Sequence, residues 1–119
     1  MAEPLDNWDK VEAFALTLDG TERNTSYRMP AVKLVANGRG FVWTGHEADT
    51  SFAVSLDLDT VEMLKETEPE TYWQSPHYEG YPTVLVRYHS ADPERVRHII
   101  SQAREQAAAL KPARPRKKK

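Results

Sequence analysis

Residues 51–56, Ser-Phe-Ala-Val-Ser-Leu, alternate strictly between apolar and small. In an extended chain Phe52, Val54 and Leu56 fall on one side and Ser51, Ala53 and Ser55 on the other. Such a strand has one dry and one wet side, the arrangement of an antiparallel sheet covered on one face. Upstream, Val32, Leu34 and Ala36 alternate with Lys33 and Val35, and the chain returns at Phe41 to Thr44. Between them stands Asn37-Gly38, two residues that tolerate positive φ and so make a tight hairpin turn with Arg39 near its tip. A further strand is expected at Val84 to Tyr88. These strands follow one another without a helix between each pair, which points to hairpins rather than a parallel α/β sheet.

Three helical segments frame them. Trp8, Val11, Phe14, Ala15 and Leu18 recur at helical spacing, with Asp6 or Asn7 as cap and Asp19-Gly20 as stop. A second helix is expected from Asp59, with Glu62 three residues on, ending before Pro69. The third opens at Asp92-Pro93, a cap followed by proline at the first helical position. Its apolar stripe is Val96, Ile99, Ile100, Ala103, Ala107 and Leu110. Residues 21–30 are a polar segment in which Pro30 biases Met29 toward extended geometry. The expectation is a two-layer α+β domain over residues 1–110, an antiparallel sheet with helices on one face. Its expected order is α-β(3)-α-β(1 or 2)-α.

The net charge of -2 conceals a division. Residues 1–110 carry ten Lys or Arg against eighteen Asp or Glu, a net of -8, whereas residues 111–119 carry six basic residues and no acid. Lys111, Arg114, Arg116, Lys117, Lys118 and Lys119, with two prolines between, read as a disordered basic tail. It is either a sequence-blind grip on a polyanion or a solvated end. Cysteine is absent, which excludes disulfides, thiolate nucleophiles and Cys-based zinc sites. No apolar run approaches the roughly eighteen residues of a membrane span. Met1 to Trp8 lacks the basic-then-apolar pattern of a leader. A cytoplasmic protein without a membrane partner is expected.

Residues 68–82 form a long connection containing Tyr72, Trp73, Tyr78 and Tyr81, punctuated by Pro69, Pro76, Gly80 and Pro82. That aromatic density predicts an ordered loop packed on the sheet, with Trp73 and Tyr81 substantially buried. The same aromatics could instead stack on bases. His77 is either a ligand-contacting imidazole or a side chain that pins the loop to a backbone carbonyl. Lys33 and Arg87 lie on strand positions opposite the core side. If their strands are neighbours, they would share one anion-binding patch with His77 and Tyr78; alternatively they are two solvated charges. Arg39 is either a wing residue or part of a plain turn.

No glycine-rich phosphate loop, Gly-x-Ser-x-Gly elbow or His-Glu-x-x-His occurs. His46, His89 and His98 show no metal-ligand spacing. No catalysis, metal or cofactor is expected.

Ser26-Tyr27-Arg28-Met29-Pro30-Ala31-Val32-Lys33 resembles the first of two segments typical of the MmcQ/YjbR family. Glu68 to Trp73, Pro76 to Pro82 and Val84 to Arg87 resemble the second. Val32 stands where an aromatic is common in the first. The resemblance spans residues 8–110 and implies a fold similar to bacterial frataxin and type III secretion chaperones. It also implies a short extra strand near Tyr72 to Gln74, and DNA binding through a "double wing" of sheet and hairpins. Together these readings predict a nucleic-acid-binding accessory protein, weak and sequence-blind, assisted by the basic tail. The alternative is a module that binds a small anion or a protein, chaperone-like, through the His77 loop.

Overall fold

The computed structural model describes residues 5–26, 29–44, 50–76, 78–88 and 92–110. Helix α1 (Trp8–Ala15) is followed by strands β1 (Thr21–Ser26), β2 (Met29–Leu34), β3 (Gly40–Thr44) and β4 (Ser51–Ser55). Helix α2 (Leu58–Thr67), strands β5 (Tyr72–Trp73) and β6 (Thr83–Arg87) and helix α3 (Pro93–Ala108) complete the chain order. The six strands form one sheet in the order β1-β2-β3-β4-β6-β5, antiparallel throughout.

One side of the sheet makes the core. Val32, Val42, Phe52, Val54, Val84, Val86 and Tyr72 pack against Val11 and Ala15 of α1, Val61 and Leu64 of α2, and Val96, Ile99, Ile100 and Ala103 of α3. The apolar stripe foreseen on the third helix is buried from Val96 to Ala107, whereas Leu110 lies past the helix end and is 48% exposed. All three helices therefore lie on one face, as the two-layer α+β reading requires.

The order of elements differs from the expected one by a strand. Four strands, not three, precede α2. Strand β1, Thr-Glu-Arg-Asn-Thr-Ser, is polar throughout and carries no alternation of apolar residues to read. It sits at the sheet edge, where pairing with β2 and side-chain ties replace a buried face. Arg23 pairs with Glu12 of α1 at 3.2 Å. The Thr21 hydroxyl donates toward the carbonyls of Ala15 and Leu18, which closes the end of α1. The strand at Tyr72 implied by the resemblance is present as β5. Helix α1 is shorter than its periodicity suggests, because Thr17 and Leu18 donate to the carbonyls of Phe14 and Ala15 three residues back in a tightened last turn.

A bulge shapes the β2–β3 hairpin. Val32 pairs with Val42 but Lys33 pairs with Gly40, leaving Phe41 as the extra residue. Phe41 and Val42 are consequently both buried in the core. At the turn Gly38 adopts φ 72°, and the Arg39 N–H is held by the Asn37 side chain at 3.0 Å.

Helix α2 begins one residue earlier than expected, capped by Asp57 rather than Asp59. Its far end is joined to α3 by Arg95, which donates through Nε and Nη2 to Glu68 at 3.2 and 2.9 Å. Burial, with the Glu68 charge second, pushes the nearby Tyr72 hydroxyl above its usual range.

Asp57 also joins α2 to α3: its backbone N–H donates to Gln106 Oε1 at 2.8 Å, and the Gln106 amide donates back to the carboxylate. The Thr60 hydroxyl is the main force lowering the Asp57 carboxyl below its ordinary range, opposed by partial burial and helped by the Thr60 N–H and Gln106. A carboxyl lowered in the folded state stabilises the fold fully above its unfolded pKa, about 3.9. That contribution is lost as pH falls through the folded value. Asp57→Asn keeps a cap but removes the titration. The urea midpoint of the variant should therefore fall less between about pH 6 and about pH 3 than that of the parent. Equal falls would show that the Asp57 carboxylate contributes nothing to acid sensitivity.

Candidate nucleic-acid interface

The sheet face that carries no helix among the described residues is built from the outward positions of the strands. Register places Ala31, Trp43, Ala53, Leu85 and Trp73 side by side, one from each of β2, β3, β4, β6 and β5. Ala31 and Ala53 are fully buried and Leu85 is 5% exposed. An outward face without helices cannot bury three residues unaided. Trp43, Trp73 and Tyr78, all half-buried, supply the cover. The Trp43 indole N–H donates to the Tyr78 hydroxyl at 3.2 Å. Tyr78 thus reaches from the β5–β6 loop to β3, over the intervening strands.

Each tryptophan is matched with a cation. The Arg87 guanidinium lies 5.0 Å from the centre of the Trp73 ring, while the side chain as a whole stays exposed. The Lys33 stem runs along Gly40 beside Trp43. A side-chain carbon at Gly40 would stand 3.6 Å from Lys33 Cγ and 3.9 Å from Trp43 Cε3. The lysine stem and the indole thus lie side by side at Gly40. The Trp73 Nε1 is buried and has no hydrogen-bond partner among the described residues.

Lys33 and Arg87 share this face but do not converge. Strands β3 and β4 separate β2 from β6, about 14 Å at ordinary strand spacing. Along the strands they also lie on opposite sides of the tryptophan row, since Lys33 is beyond Ala31 and Arg87 beyond Leu85 in antiparallel chains. They mark diagonal corners roughly 20 Å apart. The single shared patch expected from neighbouring strands is replaced by two tryptophan–cation pairs. Tyr78 joins the Trp43 pair. Arg39, half-buried, sits in the β2–β3 turn. His77 and the tail residues from Lys111 to Lys119 lie outside the described residues.

The β5–β6 loop, residues 74–82, is ordered by one side chain that its composition does not announce. The Gln74 amide donates to the carbonyls of Tyr78, Tyr81 and Thr83 at 2.9, 3.0 and 2.8 Å. Its oxygen accepts from Lys65 of α2 at 2.8 Å. Backbone bonds from Tyr78 and Glu79 to Ser75, and from Leu56 to Pro82, complete the loop. The expectation of a packed loop is met at Tyr72, Trp73 and Tyr78. Tyr81 departs from it at 58% exposed, because the turn around Gly80 carries it outward while its backbone does the bonding.

Three residues of this region escape sequence reasoning. Trp43 carried a signal: it is the outward residue of a strand whose neighbours Val42 and Thr44 face the core. Gln74 carried none, since a lone glutamine after an aromatic pair has no pattern. Asn37 reads as a turn residue, but its amide also reaches across to the carbonyls of Ala107 and Leu110 at 2.9 and 3.3 Å.

Replacing Gln74 with leucine leaves three loop carbonyls without their donor. A loss of about 1–3 kcal/mol in unfolding free energy is expected, together with a red shift in indole emission as Tyr78 leaves Trp43. Denaturant titration followed by fluorescence measures both; a variant as stable as the parent would show that the loop is held by its backbone alone.

The chain matches no protein-family model, and no curated protein matches it. Among solved structures it is similar to the Deinococcus radiodurans protein DR2400, which carries a DUF419 domain, at a TM-score of 0.72 and 14% identity. The match covers 87% of this chain and 79% of that chain. DUF419 is an MmcQ/YjbR-like family, and the likeness to it is one of fold.

Proposed function

We propose that the protein is a nucleic-acid-binding accessory factor, a binding module rather than a catalyst, that grips the phosphate backbone without reading sequence. The observation that carries this reading is the Asn37 tie. By bonding Ala107 and Leu110, Asn37 holds the end of α3 against the β2–β3 turn. Lys111 follows Leu110 directly in sequence, and residues 111–119 supply six cations; the hairpin held to the end of α3 carries Arg39 and Lys33. Residues 111–119 carry a net charge of +6, whereas residues 1–110 carry a net of -8, which repels phosphate. Such a distribution favours attachment by one end and disfavours wrapping.

Binding of this kind releases counterions. The logarithm of the duplex association constant should fall with the logarithm of salt with a slope of up to about -5 if all six tail cations engage. Anisotropy titrations with the full chain, and with its six tail cations changed to glutamine, test this. The neutral-tail variant should lose most of its affinity and most of the slope. Arg39→Gln should remove about one unit of it. Equal affinity of parent and neutral-tail variant, or strong discrimination among duplexes of different sequence, would overturn the reading.

A further inference from the structure

We infer that the helix-free sheet face takes single-stranded nucleic acid, with unpaired bases stacking on Trp73 and Trp43 while Arg87 and Lys33 meet the flanking phosphates. The inference rests on the nucleic-acid reading and names the form of strand that the face selects.

Four features of the face support it. Among the described residues it carries no helix, and its outward row runs through Ala53 and Leu85 between two tryptophans. The two indoles stand about 14 Å apart by strand spacing, too far for one base to lie on both, so separate bases of one strand must occupy them. Each indole is accompanied by a cation, which matches the alternation of base and phosphate along a strand. Arg87 is exposed over the half-buried Trp73 ring, and an exposed guanidinium on a ring is held less firmly than a base stacked there. A base that displaces Arg87 frees its guanidinium for the adjoining phosphate, where two N–H groups can engage two oxygens. The Arg87 corner is the stronger half, because Glu22 stands opposite Lys33 in the β1–β2 register.

Duplex DNA cannot use this face in the same way. Its bases are stacked on one another and present no free π-surface, so only backbone phosphates would reach the two cations. Preference for single strands follows from the tryptophans, whereas the basic end described above binds either form.

The test uses the full chain with two labelled probes, a thymidine oligonucleotide and a duplex of the same length, read by anisotropy and by quenching of indole fluorescence. The parent should bind the single strand more tightly than the duplex. Trp73→Leu should weaken single-strand binding about tenfold and leave duplex binding unchanged. Trp73→Phe, which keeps a stacking ring and guards against a folding defect, should retain affinity within about threefold. Arg87→Gln, an exposed position, should reduce the single-strand salt slope by about 0.7. If the single strand binds no more tightly than the duplex, or if Trp73→Leu and Arg87→Gln bind it as the parent does, the inference is wrong. Duplex binding through the tail would then stand unaffected. If neither probe binds the parent, the nucleic-acid reading fails and this inference with it.

Discussion

Strand β4 is buried on both sides, and much of the structure follows from that constraint. Phe52 and Val54 face the helices, while Ser51 and Ala53 face away from them and yet are 2% and 0% exposed. A central strand with a bare outer side would leave its neighbours' outward residues in water. Here β4 contributes only small side chains outward, which leaves room for Tyr78 to reach across it to Trp43 on β3. The sheet thus has a thick apolar layer under the helices and a thin aromatic one on the other side. The thin layer requires the β5–β6 loop to be fixed, and that requirement explains why one glutamine bonds three carbonyls in it.

The parts of this fold that were legible in the sequence are those written as patterns. Alternation at Phe52, Val54 and Leu56, the Asn37-Gly38 turn and the stripe from Val96 to Ala107 each follow from a period, and each is where it was expected. Strand β1 had no period to read, because an edge strand tied by Arg23, Thr21 and backbone pairing needs no apolar side. The site was legible residue by residue but not as a constellation. Lys33 and Arg87 could be put on the outward side from their neighbours. Their separation depends on strand order, which only long-range pairing decides: β6 enters the sheet beside β4, whereas β3 occupies the position next to β2.

The distribution of charge follows a similar division. Among the described residues, ion pairs such as Lys10 with Asp6 and Lys65 with Glu62 are short-range. Exposed pairs of this kind add little to stability. The bidentate Arg95–Glu68 pair differs, because it fixes the end of α2 to the start of α3 above the buried Tyr72 ring.

The tie from Asn37 to the last turn of α3 has a consequence for how the domain opens. Ala107 is packed in the core, and its carbonyl is held by a residue seventy positions away in sequence. The final turn of a helix ordinarily frays independently of distant hairpins. Here fraying would have to break the Asn37 amide bonds, and loosening of the hairpin would release the helix end. The two segments thus form one cooperative unit of local unfolding. Anything that pulls on the residues beyond Leu110 loads the β2–β3 turn as well as the helix, so tension on the tail is carried into the sheet.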